Sequence, residues 1–121
     1  GQDTLVRAAI PCLVRGHITV DSKGMPKEDI QRSIVDGINT MPIGTGKITG
    51  QDIINFLPEN VELVFPFSLT GEVILPETTK TFRAAQGALI IPDLIDRGQA
   101  FTAKEVGFHT SANNITVGIN D

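Results

Sequence analysis

Residues 12 to 20, CLVRGHITV, alternate between apolar and polar positions. Cys12, Val14, Ile18 and Val20 fall on one side with Gly16 between them, and Leu13, Arg15, His17 and Thr19 fall on the other. A two-residue period is that of a half-buried strand, because successive Cβ atoms of extended backbone point to opposite faces. Asp21, Ser22, Lys23 and Gly24 then supply turn chemistry. From there the period lengthens. Ile30, Ile34, Ile38 and Met41 recur at helical spacing, and Val35 widens the stripe. Pro26 suits a first helical turn, Glu28 and Asp29 suit the positive end of its dipole, and Pro42 stops it. The pattern predicts a helix near 26–41. A second, short helix is expected near 50–57. Thr49 and Asp52 have the spacing of a capping box, with Asp where Glu is preferred. Ile53, Ile54 and Leu57 give that helix its apolar face, and Pro58 ends it.

After Asn60 the texture changes to short apolar runs between turn signals: VELVFPF, EVILP, KTFRA, ALIIP, then FTAKEVGFHT and NITVGI. Val61, Leu63 and Phe65 alternate with Glu62 and Val64, so strands are expected, with one helical turn at PDLIDRG as the exception. Pro66 and Pro76 are assigned to strand ends or edges, where a missing N–H costs nothing. Lys80 and Arg83 are read as blunting an edge. The expected class is α+β: a β-α-α-β unit over residues 1–60, then a β-rich part over 61–121. The two parts are expected to pack as one compact domain or as two small subdomains.

Composition narrows the function classes. With 40% hydrophobic and 20% charged residues the chain is globular, and 121 residues suffice for one core without metals or disulfides. The formal charge of −4 lacks the basic footprint of a nucleic-acid or anionic-membrane binder. Neither Trp nor Tyr is present, which removes the usual stacking platforms for sugars and single strands. The one Cys excludes an intramolecular disulfide. No apolar run approaches the roughly 20 residues that span a bilayer, and GQDTLVRAAI lacks the charged-then-apolar pattern of a signal peptide. Without an initiator Met, the sequence reads as a processed product or a piece of a longer chain, with Gly1 a candidate cloning scar.

The stretch MPIGTGKITGQD, residues 41–52, is the one place where chemistry could concentrate. A phosphate-cradling P-loop would need glycine at position 41, which is Met41, and a hydroxyl at position 48, which is Ile48. The order β-α-loop-α-β with glycines between the helices is similar to a KH domain, whose Gly-x-x-Gly loop grips a nucleic-acid backbone. After Gly44 the second glycine of that motif would fall at position 47, where Lys47 stands. The histidines and Cys12 show no local nucleophile–base or metal spacing. Asp93 and Asp96 beside Gly98 lack the ligand spacing of an EF-hand and read as solvated surface. No catalytic, cofactor or metal residue is expected.

The strand HITV, the helix EDIQRSIVDGINTM, the glycine loop IGTGKIT, the helix GQDIINFLPENV and the later DLIDRGQAF and NITVGIND follow one another in an order that resembles the C-terminal part of the baseplate J-like family. These are wedge proteins of contractile phage tails and related injection machines. The resemblance covers roughly residues 6–121 and rests on apolar and glycine patterns. It implies a structural subunit in the virion tail baseplate, assembled in the host cytoplasm. Its partners would be other baseplate subunits, with no nucleic acid, membrane or cofactor. Gly44 and Gly46 would then reverse the chain between helices at positive φ, and Thr49 would cap the second helix.

Overall fold

The structure, a computed structural model, describes residues 9–120. Of the segments discussed above, GQDTLVRA and Asp121 lie outside them. The element order is β1 (Ile10–Asp21), α1 (Lys27–Asn39), β2 (Lys47–Thr49), α2 (Gly50–Phe56), β3 (Glu62–Ile74), β4 (Thr79–Arg83), β5 (Ala88–Ile90), β6 (Leu94–Asp96), β7 (Gln99–Phe101), β8 (Val106–His109) and β9 (Ile115–Ile119), with 3-10 turns at Ala103–Glu105 and Ala112–Asn114. The α+β class holds, with a mostly β second half.

β1 is the axis of the molecule. It pairs with β3 antiparallel from Cys12 to Asp21. Its other side takes two parallel strands in succession, β8 beside Ile10–Leu13 and β9 beside Gly16–Val20. β4 adds to β3, giving a five-stranded sheet that draws strands from both halves of the chain. The alternation in CLVRGHITV is realised as expected. Cys12, Val14, Ile18 and Val20 are fully buried, and Arg15 and His17 face solvent.

The helices cover the buried face. Ile30, Ile34 and Ile38 of α1 are fully buried, each stabilising the fold by about 1.5–3 kcal/mol relative to exposure. Gly37 lies under the Phe56 ring of α2, so the two helices touch closely. α1 is shorter than the predicted 26–41: Pro26 is its N-cap and Thr40 its C-cap. α2 begins with the anticipated capping box. Thr49 Oγ1 accepts from Asp52 N–H at 3.1 Å, and Thr49 N–H donates to Asp52 Oδ2 at 2.8 Å. Such a cap contributes about 1 kcal/mol.

Four features depart from the sequence reading. A strand, β2, stands between the helices, because Lys47–Thr49 finds a partner in Ala88–Ile90, far along the chain. PDLIDRG forms no helical turn. It is β6 and the turn into β7, with Arg97 and Gly98 both at positive φ (52° and 83°), the backbone a two-residue hairpin turn requires. Pro66 sits inside the thirteen-residue β3 rather than at its end. The β1–β3 register shifts there, between the pairs His17–Ser68 and Thr19–Val64, and β4 pairs only with Thr70–Ile74, so the missing N–H breaks no ladder bond. Finally, Asp96 is buried, not solvated: 4% exposed, with Oδ2 accepting from Glu77 N–H at 2.8 Å.

Candidate interaction surface

Gly44 and Gly46 have φ of 92° and 74°, where a side chain is strained. A Cβ on Gly44 would lie 2.9 Å from the Lys104 carbonyl oxygen, and one on Gly46 would lie 3.2 Å from Ala103 Cβ. The loop therefore packs on the 3-10 turn that precedes β8. Gly44 N–H donates to Val106 O at 3.0 Å, and Gly46 O accepts from Ile91 N–H at 2.9 Å. A phosphate cradle or strand clamp needs amides turned to a ligand; the Gly44 amide is turned into the protein. Lys47 is exposed on β2 opposite Ile90.

The Gly44 bond belongs to a larger arrangement along one edge of the sheet. Asn120 donates its N–H to Val20 O at 2.8 Å. In a parallel ladder alternate residues turn both backbone groups to the same neighbour, so Thr116 and Gly118 face β1, and Ile115, Val117 and Ile119 face outward. The same alternation turns Val106, Phe108 and Thr110 outward. α1 and the loop after it then tie this edge at several of its groups. Gly44 occupies Val106 O. Asn39 brackets Thr110, its Oδ1 accepting from Thr110 N–H at 2.8 Å and its Nδ2 donating to Thr110 O at 3.0 Å. Gln31 Nε2 donates to Ala112 O at 2.8 Å and to Ile115 O at 2.6 Å. Past Ile115 the closure stops. Among the described residues no strand pairs with the outer side of β9.

The opposite edge is β4, TKTFR, whose Arg83 is exposed and whose Lys80 Nζ donates to Ile95 O in the β6–β7 hairpin at 3.0 Å. A third feature is apolar. Phe65 lies over the start of α2, its Cε1 2.8 Å from where a Gly50 Cβ would be, and its ring is tilted against that of Phe67 at 6.2 Å between centroids. Ile54 lies one helical turn beyond Gly50, a spacing that puts the two on one side of α2. Phe65 is 56% exposed and Ile54 42%.

The remaining sequence candidates stay apart. His17 shares a 2.7 Å hydrogen bond between Nδ1 and Thr116 Oγ1 on the open face of the sheet. His109 pairs across strands with Leu13. Cys12 is on the opposite face, and burial pushes its thiol up to about 12, with the Glu72 charge adding to the effect, so it is un-ionised at neutral pH. Asp93 Oδ1 accepts from Ala103 N–H at 3.3 Å. Among the described residues no three His, Cys, Asp or Glu side chains are placed to share an ion, and no helix is long and apolar enough to cross a membrane. Sequence reasoning missed Asn39, Gln31 and Phe65. Asn39 at the end of a helix is ordinary composition, and its role depends on Thr110, 71 residues away.

No protein-family model and no curated protein matches this sequence.

Proposed function

We propose that the chain is a structural subunit acting through protein–protein contacts, in the wedge of a contractile phage tail baseplate or a related injection machine. On this reading its partners are other baseplate subunits, it carries out no reaction, and its place is the virion tail. The order of apolar and glycine patterns along the chain supports the reading. The observation that carries it is the exposure of Phe65 and Ile54. A half-exposed Phe over the start of α2 and a half-exposed Ile one helical turn further along that helix are what the apolar centre of a subunit interface offers. The glycine loop supports it as well, since its geometry is used to hold the 3-10 turn and β8 in place.

The test is incorporation. Phe65→Glu and Ile54→Glu are introduced into the gene in its source organism, and assembled particles are purified. Both variants should melt near the parent temperature as isolated proteins yet be depleted from particles by tenfold or more. Normal incorporation of both would sink the reading. Saturable oligonucleotide binding at micromolar affinity, lost on Lys47→Glu, would replace it with the KH-like one.

A further inference from the structure

The open stretch of β9 has a specific shape. Its sequence, ITVGI, has no charge and no proline, the devices that usually protect an edge strand. Its outward backbone groups belong to Val117 and Ile119, because Ile115 O is already held by Gln31. Ile119 is 44% exposed although it lies on the same face of the strand as the buried Ile115 and Val117.

We infer that β9 pairs with β9 of a second copy of this chain, antiparallel about a twofold axis at Gly118. Two outward residues separated by one inward residue are self-complementary under that rotation. Val117 of one copy exchanges both backbone hydrogen bonds with Ile119 of the other, and the reverse pair does the same. The facing Gly118 residues form the close, non-hydrogen-bonded pair between them, where the absence of a side chain removes any clash. Ile119 then lies beside a second Val117 and leaves solvent. The register needs nothing from Ile115, so the Gln31 contact stays intact. The sheets of the two copies become continuous through β1, β9 and their symmetry mates. The contact area of so short a strand pair falls below that of a stable dimer, about 800 Å² per partner. The pairing is therefore weak in dilute solution. The inference stands on strand geometry alone and does not depend on a role in a tail machine.

Sedimentation equilibrium over a concentration series reaching the millimolar range, together with amide exchange at both ends of that series, tests it. The weight-average mass should rise from 13.0 kDa toward twice that value. The Val117 and Ile119 amides should slow severalfold at the high end, and those of β4 should not. Ile119→Pro removes an outward donor from an exposed strand end, and Ile119→Lys places a charge there. Both should stay monomeric throughout while melting like the parent, and Thr81→Lys on the β4 edge should self-associate like the parent. A mass that never rises overturns the proposal. So does association that both Ile119 variants retain, which would place the contact on another surface such as the one around Phe65.

Discussion

β4 and β9 lie at opposite edges of one sheet and are finished by different means. β4 carries its protection in its own sequence: Lys80 and Arg83 discourage another strand, and Lys80 ties the edge to the β6–β7 hairpin. The β8–β9 edge carries none. It is closed from outside, by Gly44, Asn39 and Gln31 reaching across from α1 and the loop that follows it. A charged edge needs no other part of the fold to stay unpaired. A laced edge is closed only where a tie falls, and here the ties fall at Val106, Thr110, Ala112 and Ile115, with none further along at Val117 and Ile119. The contrast also gives the glycine loop its meaning: it is the first tie of that closure.

The comparison can be broken at each tie. The largest effect should come from Gly44→Ala. It combines strain at positive φ with a Cβ driven against the Lys104 backbone, and a cost of about 2–3 kcal/mol is expected. Denaturant melts should show it beside Lys47→Ala, which should change stability by less than about 0.5 kcal/mol. The opposite ranking would return the loop to a ligand-binding role. Asn39→Ala comes next. It leaves the Thr110 N–H and C=O without their partner, and because Asn39 itself is exposed, water recovers part of the loss. About 1–2 kcal/mol is expected, with exchange of the Thr110 amide accelerated beyond the global change. Gln31→Ala should cost about 1 kcal/mol and lengthen the open stretch by one residue. Concentration-dependent self-association should then strengthen; if it weakens, the α1 overhang belongs to the contact. Smallest of all, Lys80→Ala should move the melting midpoint by the equivalent of less than about 0.5 kcal/mol, since its single bond lies in solvent. A large effect there would show the β4 edge to be held by the hairpin rather than guarded by charge.

Several elements were legible in the chain alone. The faces of β1, the Ile30–Ile34–Ile38 stripe, the Thr49–Asp52 capping box and the change of period after Asn60 are local facts. Each depends on residues within one or two turns, and burial on one face imposes the same periodicity wherever the element sits. The positive φ expected of the glycine pair was also legible, because glycines packed between two helix signals leave few other backbone routes. Their partner was not. The β2–β5 pair, the Arg97–Gly98 hairpin, the burial of Asp96 and the closure of the β8–β9 edge were decided by the tertiary structure. A strand of three residues such as Lys47–Thr49 has too little pattern to announce itself and exists only because Ala88–Ile90 lies alongside. Asp96 reads as surface until the Glu77 amide is placed against it. Asn39, Gln31 and Gly44 are unremarkable in composition, and they matter because α1 lies over one edge of the sheet and not the other. Backbone hydrogen-bonding capacity is the same at every residue of a strand, so which groups remain open is a property of neighbours that only the folded chain brings together.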